Sequence, residues 1–182
     1  MTHIRIPEQL AWFAAKSDPE RSGNWLPLWI HAEDTAQMMV HLARDWLPPA
    51  AQDILLPPAE NQDALLRFLG LAHDTGKLTA LFAARIAEVI PEYRGAFEKE
   101  SVTVPPLRKM KTSKPPHARA GEVILQKYEC PVGITAIVGA HHGRPQDDLQ
   151  DSLEIESEET GYFGLIECLS FGGTCTRISL GN

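Results

Sequence analysis

The chain has 182 residues, 43% of them apolar and 23% charged, with a formal net charge of −7. That length and composition fit one soluble globular domain spanning 1–182. They exclude a membrane helix, which needs about 18 consecutive apolar residues, and no apolar stretch follows His3 and Arg5 to make a secretion signal.

Residues 1–27 hold Trp12, Phe13 and Trp25 among polar residues, with Pro19 and Gly23 as breakers. They predict a short helix over 7–16 and then a loop. A strong helix follows over 28–47, where Thr35, Met38, Leu42 and Trp46 recur at three- to four-residue spacing. His31 lies on that face, Trp46 is expected in the core, and Pro48-Pro49 ends the helix. A proline-rich loop over 48–58 leads to a second helix over 61–75, with Leu66, Leu69 and His73 on one face. Gly76 breaks it. A third helix over 78–90 carries Leu78, Phe82, Ile86 and Val89, and Pro91 closes it.

Residues 91–116 show no sustained period and read as a long loop. Within 105–120 the bases Arg108, Lys109, Lys111, Lys114 and Arg119 stand without an acid, as a nucleic-acid surface or a solvated charge run would have them. A helix over 117–128 places His117, Ala120 and Ile124 on its buried face. A helix over 132–142 ends in His141 and His142, and Gly143 stops it. Residues 147–159 carry seven acids and no base, so the rest of the chain sums to zero and the overall acidity does not argue against an anionic substrate. A short helix over 162–169 and a strand-like or irregular end over 174–180 are expected. Cys130, Cys168 and Cys175 are odd in number and form no CxxC pattern. They read as reduced thiols of a cytoplasmic protein and not as zinc ligands.

Several of these apolar helical faces begin or end in histidine: His31, His73, His117, and His141 with His142. One such ring is ordinarily a buried imidazole bonded to a carbonyl. Five, together with Asp74, are better explained by shared divalent ions, because unpartnered buried imidazoles cost a few kcal/mol each. Imidazole with a carboxylate that can bridge suggests two ions, with Mn, Fe, Co or Ni favoured over Mg. Such a pair activates water and stabilises the oxygens of an in-line displacement at phosphorus. Lys77, one turn beyond His73, is placed to neutralise a phosphate oxygen, or else is a solvated surface residue. Asp34 could orient His31 or simply be exposed. The run from Gly70 to Lys77 is not a phosphate loop: it is one residue too long, and Leu78 stands where Ser or Thr is required.

Four segments resemble the HD phosphohydrolase superfamily, and more closely the HD nuclease domain of the type I CRISPR helicase–nuclease. They are Trp29-Ile-His-Ala-Glu-Asp-Thr-Ala36, His73-Asp-Thr-Gly-Lys77, His117-Ala-Arg-Ala-Gly121 and Ala140-His-His-Gly-Arg144, within about 28–145. The resemblance implies an all-α HD-domain helical bundle with a metal site between helices. It also implies a metal-dependent nuclease that degrades single-stranded DNA, with a CRISPR helicase, fused or separate, and the RNA-guided surveillance complex as partners. Carried over, His31, His73 and Asp74 would hold one ion. Asp74, His117, His141 and His142 would hold the other, with Asp74 and Lys77 catalytic. The chain departs from the family at a late Asp: Asp147, Asp148 and Asp151 stand too near His142, and Glu167 lacks the surrounding pattern. Two alternatives stay open, an HD phosphohydrolase acting on nucleotides or phosphomonoesters and an inactive module that docks on a CRISPR effector.

Overall fold

A computed structural model describes residues 11–18, 20, 23–56, 59–99, 104–109 and 116–144. The acidic run, the expected helix over 162–169, the end segment over 174–180, Cys168 and Cys175 lie outside the described residues. The described residues are mostly helical, as the all-α expectation required. They contain β1 (Ala14–Asp18), β2 (Asn24–Pro27), α1 (Leu28–Asp45), α2 (Pro49–Leu55), α3 (Ala59–Ala72), α4 (Ala80–Val89), α5 (Pro91–Lys99), α6 (His117–Lys127) and α7 (Val132–Gly139). Short 3-10 turns cover Thr75–Leu78 and Leu107–Lys109. Among the described residues no helix is long and apolar enough to cross a membrane.

The first correction is at the start of the chain. Residues 14–18 are not helical: β1 pairs antiparallel with β2, turning through Gly23 at φ 75°. Ala-Ala-Lys-Ser-Asp has no intrinsic strand signal, so packing decides its state. Phe13, Ala14 and Ala15 are buried in a cluster with Ala84, Ile90, Tyr93 and Phe97. The Phe13 ring meets Phe97 edge-on at 5.2 Å, and Trp25 meets Tyr93 in the same way at 5.2 Å. The Tyr93 hydroxyl accepts the Ala14 N–H at 3.1 Å, and Phe13 O accepts the Leu28 N–H at 2.6 Å. The hairpin thereby fixes the entry to α1.

The second correction concerns α1. Its buried residues are Leu28, Ala32, Ala36, Val40 and Ala43. Met38 and Leu42 are exposed, and so is Trp46, at 81%. The larger side chains suggested the wrong face because the true contact selects for small ones. A Cβ on Gly70 would fall 2.4 Å from Ala36 Cα, so α1 and α3 touch backbone to backbone. Leu66 packs with Val40 and Ala43 further along. On α3 the expected face holds, with Leu66 and Leu69 both buried.

Proline misled twice more. Residues 48–58 contain α2 with Pro49 in its first turn, and residues 91–116 contain α5 starting at Pro91. Proline is tolerated in a helix's first turn, where its missing N–H has no intrahelical partner to lose. It opens these helices instead of only closing the ones before. On α4, Ile86 is buried as expected but Val89 is exposed; Leu81, Ala83, Ala84 and Ala87 share the burial.

Candidate metal centre

The centre lies where α1, α6 and the ends of α3 and α7 meet. Close packing sets its dimensions. Beside the Gly70 contact, a Cβ on Gly76 would fall 1.8 Å from His117 O, so the turn after the His73-Asp74 pair presses directly on the start of α6. Those two glycines hold Asp74 between α1 and α6. Asp74 is almost fully buried, at 2% exposed.

Its two oxygens face different partners. Oδ2 lies 3.1 Å from His31 Nε2, 3.2 Å from His73 Nε2 and 2.7 Å from Lys77 Nζ. Oδ1 lies 3.2 Å from His117 Nε2 and 3.6 Å from His141 Nε2. His142 reaches the second side through His117, at 3.0 Å between their Nε2 atoms. His31 and His73 approach to 3.3 Å in the same way. Thus His31, His73 and Asp74 form one group able to hold a metal ion, and His117, His141 and His142 form another; within each group the ligand atoms lie within 4.8 Å of one another.

The helix ends orient the rings. His73 directly follows α3 and His141 lies two residues past the end of α7, where the last carbonyls lack intrahelical donors. His73 Nδ1 lies 2.7 Å from Gly70 O, and His141 Nδ1 lies 2.7 Å from Val138 O. A carbonyl only accepts, so each Nδ1 carries the proton and donates it. In the neutral rings both Nε2 lone pairs then point at Asp74. These two carbonyls were missed in the sequence; the available signal was a histidine just past a helix end, three residues after a potential acceptor.

A cluster of lone pairs and carboxylate oxygens needs cations. Burial pushes the Asp74 carboxyl up, but hydrogen bonds from His117, from His73 when its ring is protonated, and from Lys77 outweigh it and hold the group far below the usual carboxylate range. Burial pushes His73 down, but the Asp74 carboxylate and the Gly70 bond more than reverse this, so its net shift is upward. Burial lowers His31, with Asp74 opposing only in part, and lowers His141 against its Val138 bond and Asp74. His141 Nε2 is buried without a hydrogen-bond partner. An unpartnered buried lone pair beside a carboxylate suits a divalent ion, and the all-imidazole-and-carboxylate donor set fits one.

Every site residue named from the sequence lies in this centre. Lys77 is not a surface residue: it is 8% exposed, bonded to Asp74, with Nζ 5.6 Å from the Phe82 ring centroid. Asp34 is exposed. His41, left out of the cluster, pairs with Asp45 on the surface at 3.6 Å. The basic stretch loses a member, since Arg119 is buried.

The family model described as the Cas3 HD domain matches residues 14–167. The chain belongs to the Cas3 HD-domain family. The match is wider than the four motifs, taking in the hairpin. The chain is also 32% identical over 167 residues to the CRISPR-associated nuclease/helicase Cas3 of Streptococcus thermophilus. That alignment covers 84% of this chain and 18% of the relative, so the HD domain spans about a fifth of that relative's length. No solved structure matches it significantly.

Proposed function

We propose that this HD domain is a metal-dependent nuclease that cleaves single-stranded DNA in CRISPR interference, working with a helicase and an RNA-guided surveillance complex. The observation that carries the reading is Asp74, whose two oxygens address two separate histidine groups. A single ion would not require both.

In this reading His31, His73 and Asp74 hold one divalent ion, and Asp74, His117, His141 and His142 the other. Bound ions supply water of lowered pKa and neutralise charge developing on phosphate oxygens. The chain's own residues set the frame for that chemistry. Gly70 O and Val138 O hold His73 and His141 in the tautomer that presents Nε2 inward. Lys77 fixes the Asp74 carboxylate from its Oδ2 side and helps keep it ionised. His142, exposed on the rim, faces the solvent from which a phosphodiester would enter. The imidazole-rich set favours Mn, Fe, Co or Ni over Mg.

The deciding experiment incubates purified protein with Mn²⁺ or Ni²⁺ and either single-stranded DNA or free nucleotides. The nuclease reading expects DNA loss that Asp74→Ala abolishes. Hydrolysis of nucleotides with the DNA intact would replace it with a phosphohydrolase. Absence of any turnover, with less than one equivalent of metal bound, would leave a docking module.

A further inference from the structure

Two residues of α6 outside both histidine groups have an arrangement that stability alone does not account for. Arg119 and Glu122 lie one turn apart and are buried, at 6% and 9% exposed. Arg119 Nη1 donates to Glu122 Oε2 at 2.5 Å, and Gln126 Nε2 lies 3.5 Å from Oε1. Arg119 Nε is buried with no partner. Such a pair is a poor stabiliser, because lost hydration offsets most of the attraction and an apolar pair would serve as well. What it provides is a stiff, directed contact at one place.

That place is Gly139, the last residue of α7. A Cβ there would fall 2.2 Å from Glu122 Oε2 and 2.8 Å from its Cδ. The carboxylate therefore abuts bare backbone two residues before His141. His117, the third member of their group, is the first residue of the helix that carries Arg119 and Glu122. One helix presents one imidazole directly and, through Glu122 against Gly139, sets the height of the turn bearing the other two. The tolerance is small: the His141 and His142 ring centroids are 4.2 Å apart, and metal–ligand distances allow only about 0.2 Å.

We propose that Arg119 and Glu122 are a positioning pair for the His117, His141 and His142 group. They act on the ion that this group would hold and not on the one facing His31 and His73. The inference rests on the two-ion reading of the preceding subsection.

The test titrates metal-stripped protein with Zn²⁺ by calorimetry. Ring-nitrogen NMR signals of His117, His141 and His142 report one ion, and those of His31 and His73 the other. Glu122→Ala is expected to weaken the first by at least about tenfold, the size of effect that removing an outer-shell partner has at metal sites, with the second within about twofold. Glu122→Gln, which keeps the shape of the contact, is expected to restore most of that loss. Gly139→Ala should give the same one-sided loss, and Gly139→Ala with Glu122→Ala should recover part of it, because the clash is removed. Should Glu122→Ala not fold, Glu122→Gln and Gly139→Ala still decide the matter. Equal weakening of both ions in step with melting temperature would overturn the proposal, as would unchanged binding, strictly additive effects, or a Glu122→Gln variant no better than Glu122→Ala. Wild type that binds no Zn²⁺ would sink the two-ion reading itself. Wild type that binds two, with variants that bind both as well, would sink only the positioning role.

Discussion

His117 Nε2 stands 3.2 Å from Asp74 Oδ1, and this contact ties the start of α6 to the turn that follows α3. It exists because Gly76 lets that turn lie on His117 O. The opposite oxygen of Asp74 meets His31 on α1. One carboxylate thus joins three elements distant in sequence, and most of what can be tested follows from it.

Asp74→Ala should remove metal binding and nuclease activity together. Loss of a shared ligand weakens both groups, so a fall of at least about 100-fold in single-stranded DNA degradation is expected, beyond the 10–100-fold typical of outer-shell partners. Stability should respond as well. In wild type, metal at 100 times its dissociation constant adds about 2.7 kcal/mol, and chelator should reverse that. Asp74→Ala should show neither change in melting experiments with and without Mn²⁺.

Lys77→Met keeps the stem of the side chain and removes its 2.7 Å bond to Asp74. A hydrogen bond between charged groups contributes about 1.5–3 kcal/mol, and a loss of that order is expected in urea unfolding of the metal-free protein. A variant as stable as wild type would show that the bond is not what holds Asp74 in place.

The glycine contacts predict steric defects. Gly76→Ala would drive a methyl into His117 O, and Gly70→Ala into the backbone at Ala36. Overpacking of this kind costs about 1–3 kcal/mol or more. Gly76→Ala should also loosen metal binding, since the displaced groups are Asp74 and His117. Calorimetric titration with Mn²⁺ beside thermal unfolding would separate the two effects.

Tyr93 gives a pH dependence. Burial raises its hydroxyl pKa well above the ordinary value, with the Ala14 N–H bond opposing weakly. The folded state therefore keeps the proton where the unfolded chain releases it, near pH 10. Below that pH the contribution is complete; as pH rises beyond it, the unfolded state binds fewer protons and stability falls. Tyr93→Phe should cost about 1–3 kcal/mol at pH 7, by leaving the Ala14 N–H unpaired. It should also flatten the decline above about pH 10 that denaturant curves are expected to show for wild type.

The face of α1 can be checked by paired substitutions. Trp46→Ala, at an exposed position, should change stability by no more than about 0.5 kcal/mol. Leu66→Ala, buried against Val40 and Ala43, should cost about 2–5 kcal/mol. The reverse ranking would return Trp46 to the core.

How much of this was legible in the sequence differs by element. The helices that carry His31 and His117, and the one that ends just before His73, show clear periodicity, and the expected bounds fall close to the observed ones. The hairpin was not legible: five residues without β-branching become a strand only because Tyr93 and Phe97, about 80 residues on, offer a surface and a bond. Helix α5 was hidden because Pro91 reads equally as a stop and as a first turn. The burial of Lys77 was undetermined, since whether a lysine is solvated depends on what α6 lays over it.

The sequence by itself singled out the residues that the fold brings together. Histidine at helix ends with one aspartate is a chemical pattern, and chemistry is local to the residue types. Only the tertiary structure decided that Asp74 turns one oxygen to each group, that Lys77 belongs to it, and that Glu122 bears on Gly139. Those relations depend on how closely helices approach, and approach is set by small residues such as Gly70, Gly76 and Ala36, whose pattern carries no hydrophobic period to read.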